Sequence, residues 1–199
     1  MSYNVSEEKI MGALPKEEPY YTYADYKEWE LDEGERFELI EGDAYAMSAP
    51  NTRHQAILGE LFNQIYNFLR GKPCKAFSSP FDVRLFYKAD ESDDTVVQPD
   101  ISVICDKKKL GPEGCRGAPD LVIEILSFSD TASEMNRKFL LYQEAGIREY
   151  WVVNPENNWL MVYCFQKDII LTKIYESTDT VAVTIFPGLD IPLEQVFAE

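Results

Sequence analysis

The stretch APDLVIEILSFSD, residues 118–130, sets Glu124 among Leu121, Val122, Ile123, Ile125 and Leu126. A run of aliphatic and β-branched residues bounded by Pro119-Asp120 and by serines has the length and composition of a buried strand. An ionised carboxylate in such a run costs several kcal/mol or shifts its pKa unless another group compensates it. In an extended strand Asp120, Val122, Glu124 and Leu126 share one face, and Leu121, Ile123 and Ile125 the other. Glu124 therefore needs a partner in one particular layer of the fold.

Working outward, DISVIC at 100–105 reads as the preceding strand, with Asp100, Ser102 and Ile104 on one face. If the two strands are neighbours, Asp100 and Glu124 converge, and two converging acids require a cation, a shared proton or a hydrogen-bonded surround. After the 118–130 stretch the spacing predicts a helix over 131–145 that stops at Gly146. On it Glu134, Met135, Leu141, Tyr142 and Ala145 lie within roughly 60° of the direction of Lys138, which places a lysine on the inward stripe. Two roles are open to Lys138: partner of Glu124 in a chemical site, or member of a structural ion pair at the rim.

The rest of the chain supports a mixed α/β reading, a central sheet flanked by helices. TYADYKEWELDEG (22–34) predicts a helix capped by Thr22 with Asp25 three residues on and ended by Gly34, and RFELIEGDAYAMSAP a hairpin turning at Glu41-Gly42-Asp43. Asn51 caps a long helix whose apolar positions run from Ile57 to Leu69. Strands are expected at 74–78, 81–87, 100–105, 120–126 and 148–154, then at Trp159–Phe165, Ile169–Tyr175 and Val181–Ile185, with a short helix near Leu193. Residues 1–19 read as an extended arm and 20–199 as one domain.

Composition narrows the function. The net charge is −16, which argues against a protein that coats nucleic acid nonspecifically. The excess acid is uneven: residues 51–110 carry nine basic and eight acidic side chains. No apolar run approaches the ~20 residues needed to span a bilayer, and the start lacks the order of a signal peptide, so a cytoplasmic protein without a membrane partner is expected. Cys74, Cys105, Cys115 and Cys164 are widely spaced with no CxxC pair, and four reduced thiols are expected. His54, the single histidine, reads as a surface or helix-capping residue. The aromatic C-terminal strands read as core or interface, and a homodimer is expected from them.

The ordered segments PDISVICD (99–106), GAPDLVIEILSFSD (117–130) and RKFLLYQEAGIREYWVVNP (137–155), with FELIEGDAYAMSAPNTRHQAILGELF (37–62), resemble the Uma-type family of restriction-endonuclease-like proteins in the PD-(D/E)xK nuclease superfamily. The resemblance runs from Tyr20 through nearly the whole chain. It implies a restriction-endonuclease-like core and a metal-dependent endonuclease acting on DNA. By position it implies Asp100 and Glu124 as metal ligands and catalytic acids. Leu126 stands where the superfamily's lysine is usual, and Lys138 on the following helix takes that place, with Tyr142 one turn on. Glu41 matches a further family acid; an ordinary hairpin carboxylate is the alternative. Phe128 replaces a common proline and Glu134 a common aspartate, the latter able to alter the approach to the metal.

Two carboxylates and the backbone carbonyl of Ile125 form an all-oxygen set that suits Mg²⁺ or Mn²⁺ better than zinc. The alternative function is a catalytically silent nuclease-fold protein that serves as a protein-interaction module. A glycosidase using Asp100 and Glu124 is weaker, because that mechanism has no use for an inward lysine.

Overall fold

The computed structural model describes residues 19–128, 131–167 and 169–198, and all but the last residue of the expected 1–19 arm lies outside them. In chain order the elements are α1 (Tyr23–Tyr26), β1 (Phe37–Ile40), β2 (Asp43–Ala46), α2 (Thr52–Leu69), β3 (Lys75–Ser78), β4 (Val83–Arg84), β5 (Val96–Val97) and β6 (Ile101–Ile104). There follow β7 (Leu110–Gly111), β8 (Gly114–Arg116), β9 (Leu121–Ile125), α3 (Ala132–Ala145), β10 (Glu149–Asn154), β11 (Trp159–Gln166), β12 (Ile169–Glu176), β13 (Thr180–Ala182), β14 (Asp190–Pro192) and α4 (Leu193–Val196).

Two mixed sheets make the frame. One runs β12-β11-β10-β9-β6-β3, with β9 parallel to β10 and antiparallel to β6; the other runs β2-β1-β5-β4-β8-β7. The parallel pair is the strand–helix–strand unit expected when α3 crosses between β9 and β10. The alternation read from the sequence separates the two faces of the first sheet. Leu121, Ile123 and Ile125 pack with Ile57, Leu61 and Ile65 of α2. Val122 on the opposite face packs with Leu141 and Tyr142 of α3 and with Ile40, Val83 and Val97 of the second sheet. The site-bearing face of β9 is thus closed by α3 and the second sheet.

Local chemistry explains the helix ends. Asn51 accepts a hydrogen bond from the His54 N–H at the start of α2. Thr131 and Glu134 form a reciprocal capping box at the start of α3, and Gly146 ends it in the left-handed region at φ 81°. In the β1–β2 hairpin the two turn residues Glu41 and Gly42 have φ of 52° and 87°, the signature of a two-residue turn. Gly42 also leaves room for the Tyr20 ring, which lies 2.3 Å from where a Cβ would stand.

Three expectations are corrected. The helix expected over 22–34 is a single turn, because Trp29 folds back against Tyr21, Tyr26 and Phe37 and takes the chain off the helical path. The 81–87 strand shrinks to Val83–Arg84. Cys74 and Cys105 form a disulfide rather than remaining thiols: the register Lys75↔Ile104 carries both cysteines to facing ends of β3 and β6. Cys115 and Cys164 are free and buried. Among the described residues no helix is long and apolar enough to cross a membrane.

Candidate active site

The pairs Ser102↔Val122 and Ile101↔Ile123 align β6 with β9, and one step further along the same register Asp100 comes opposite Glu124. Both border a cleft of about 350 Å³ whose walls include Glu38 and Ile40 of β1, His54 of α2, and Glu134 and Lys138 of α3.

Glu124 is held from the helix side. Lys138 Nζ lies 2.9 Å from its Oε1, and the Tyr142 hydroxyl donates to the same oxygen at 2.5 Å. Lys138 also stands 3.2 Å from both carboxylate oxygens of Glu38, which accepts the Gln98 N–H at 2.9 Å. The ammonium therefore bridges one acid from each sheet. Burial, with Glu38 and Asp100 adding to it, pushes the Glu124 carboxyl up to about 7 against the pull of Lys138 and Tyr142. Burial works against the Lys138 charge, but Glu124 and Glu38 outweigh it and hold the amine protonated well above its usual range.

Asp100 is held from the strand side. Its Oδ2 accepts the Ile125 N–H at 2.8 Å and lies 3.2 Å from His54 Nε2. Its backbone carbonyl accepts the Ser79 N–H. Burial lowers the tendency of His54 to charge, while Asp100 and a hydrogen bond to the backbone of Ile125 overcome it, so its pKa is raised.

The donors facing the cleft suit a hard cation. Among the described residues no group of three or more His, Cys, Asp and Glu side chains is placed to hold a metal ion. Mg²⁺ does not require one: it keeps several waters and is held by one or two carboxylates together with substrate phosphate. Asp100 and Glu124 present two carboxylates to the cleft, and Ile125 lines it beside them.

Comparison with known proteins places this geometry in a family. Residues 23–194 match the family model described as "Uma2: Putative restriction endonuclease". The chain belongs to the Uma2 family. An uncharacterized protein of Synechocystis sp. is 26% identical over 157 residues, 72% of this chain and 80% of the relative. A crystal structure described as that of "a putative nuclease belonging to DUF820" from Anabaena variabilis superposes with a TM-score of 0.72 at 23% identity, covering 89% of this chain and 98% of that one. That likeness shows the fold: a mixed α+β arrangement of large mixed sheets flanked by helices.

In this Uma2 chain, Asp100, Glu124, Ile125 and Lys138 border one cleft and Tyr142 reaches it through Glu124. Glu41 does not: it is exposed at the hairpin turn, its N–H bonded to Thr95, because a two-residue turn points its side chains away from the sheet. The acid that the hairpin contributes is Glu38, 4% exposed. It escaped the sequence reading although Phe37-Glu38-Leu39-Ile40 carries the same signal as Glu124, a carboxylate inside an apolar run. His54 is likewise no surface residue; it is 7% exposed. Glu134 borders the cleft but spends its carboxylate on the Thr131 cap, and Phe128 is exposed.

Proposed function

We propose that the chain is a metal-dependent endonuclease that hydrolyses phosphodiester bonds of DNA, with Mg²⁺ or Mn²⁺ held by Asp100, Glu124 and the Ile125 carbonyl. One observation carries this reading: two acids from neighbouring strands and an ammonium from the next helix border the same cleft. Family membership supports the nuclease class. A cation bound there supplies Lewis-acid polarisation of a phosphate oxygen and lowers the pKa of its water.

The chain's own groups do the remainder. Lys138, fixed between Glu124 and Glu38, presents positive charge where a phosphoryl oxygen becomes more negative, and such a preorganised charge favours the transition state over the ground state. Tyr142 orients the Glu124 carboxylate by its hydroxyl. Arg36 borders the cleft, and Arg137 lies over the ring of Tyr45, another wall residue, so two guanidinium groups stand at or beside the site.

The test is cleavage of supercoiled and single-stranded DNA across a Mg²⁺ and Mn²⁺ titration, with Asp100→Asn, Glu124→Gln and Lys138→Met beside the wild type. Loss in all three variants supports the reading. Equal cleavage by all four proteins would place the activity elsewhere, and a wild type that neither binds cation nor cuts would leave the interaction module as the function. The expected homodimer has one support: β12 lies at a sheet edge and exposes Ile169, Leu171 and Ile174. Sedimentation of the wild type and of Leu171→Lys checks it.

A further inference from the structure

His54 belongs to α2, the helix that covers the opposite face of the sheet from Glu124, yet its ring reaches round the strand ends into the cleft. Its Nδ1 has no hydrogen-bond partner among the described residues, and its Nε2 lies 3.2 Å from the Asp100 carboxylate. A backbone interaction with Ile125 also favours the charged imidazole, and since the Ile125 N–H donates to Asp100 Oδ2, its carbonyl oxygen is the acceptor it can offer. Asp100 Oδ2 thus has two nitrogens within hydrogen-bond distance, the Ile125 backbone N–H and the His54 imidazole Nε2.

We propose that His54 is a positioning residue that fixes the Asp100 carboxylate and the Ile125 carbonyl for the divalent cation, an inference that rests on the nuclease reading above. With Oδ2 doubly occupied, the carboxylate rotation is set and Oδ1 is the oxygen left to bind the cation. The imidazole is itself set from behind: the His54 N–H is tied to the Asn51 cap in the first turn of α2, and the long helix is anchored in the core by Ile57, Leu61 and Ile65. The Asp100 backbone carbonyl is pinned by Ser79, which leaves the side-chain torsions as the freedom that His54 removes. Groups that orient metal ligands in this way typically alter metal affinity by about 10–100-fold when removed.

The experiment measures Mn²⁺ binding by calorimetry and by electron paramagnetic resonance, in the absence of DNA, for the wild type, His54→Ala and His54→Gln. Glutamine keeps an N–H close to the position of Nε2. Each protein is first shown to melt cooperatively without metal, and the fraction folded is used to correct the affinity. The expected result is about 10–100-fold weaker Mn²⁺ binding in His54→Ala, with most of it restored in His54→Gln. Unchanged affinity in folded His54→Ala overturns the positioning role while leaving the nuclease reading intact. Equal weakening in both variants also overturns it, since it would show that ring packing, and not the donated hydrogen bond, matters. A wild type that binds no Mn²⁺ overturns both readings, and DNA cleavage without metal distinguishes a metal-free nuclease from a silent fold.

Discussion

Lys138 and Glu124 are 14 residues apart in sequence, one on the crossover helix and one on the strand before it, and their charged atoms meet at 2.9 Å. The same ammonium reaches Glu38, 100 residues away. Removing it leaves two buried acids facing each other. Lys138→Met should destabilise the metal-free protein by about 3–5 kcal/mol at pH 8, the usual range for breaking a buried charge cluster from one side. At pH 5 the loss should be smaller, since Glu124 can then take up a proton. The raised Glu124 pKa has the same sign in the wild type: the unfolded chain loses this proton near 4.5 and the folded one near 7, so its contribution is complete below 4.5 and is lost as pH rises to about 7. Denaturant titrations of both proteins at the two pH values check this.

Glu38 and Glu41, three positions apart in the same hairpin, give a paired prediction. Glu38→Gln removes a charge-assisted contact to Lys138, worth about 1.5–3 kcal/mol, and should lower DNA cleavage roughly 10–100-fold. Glu41→Gln alters an exposed turn side chain and should leave cleavage within about twofold. Steady-state kinetics on one plasmid substrate compares them directly.

Arg36 should act through binding. Phosphate contacts set affinity and its salt dependence, so Arg36→Ala should raise KM with kcat little changed and reduce the slope of log affinity against log salt by about one. Filter binding without added divalent cation, over a range of salt concentrations, reads that slope. An unchanged slope would remove Arg36 from the DNA path.

Glu149 is a fully buried carboxylate remote from the cleft. Trp151 Nε1 donates to it at 2.8 Å and the Ile185 N–H at 2.9 Å, while burial raises its pKa against those bonds. The unfolded chain therefore releases its proton first, and stability falls as pH rises from the ordinary value of 4.5 through the folded one. Glu149→Gln should flatten that fall. It should also cost about 1–3 kcal/mol, because the amide turns a donor toward one of the N–H groups that the carboxylate accepted. Thermal melts from pH 4 to pH 8 on both proteins measure the two effects.

Much of this was legible from pattern. The alternation through Leu121–Ile125 sets Glu124 on one face of its strand, and the spacing around Lys138 up to Gly146 turns that lysine inward. What escaped had no local signature. The strands β4, β5 and β7 are two residues each, too short to show a period, and exist because neighbours pair with them. His54 and Asp100 meet at the end of β6, and Cys74 and Cys105 across a strand pair at a separation of 31 residues. Such contacts follow from register, which composition does not reveal. Glu38 is different: its signal lies in the apolar run Phe37–Ile40, while the family resemblance implied Glu41 instead.

The bridging ammonium also orders events in time. Glu38 leaves the ribosome about a hundred residues ahead of Lys138, and domains acquire their packing only when the partner segments have emerged. A polypeptide that ends before α3 holds Glu38 and Glu124 without their shared counter-charge, and only the crossover helix brings the ammonium that lets the two sheets close on each other.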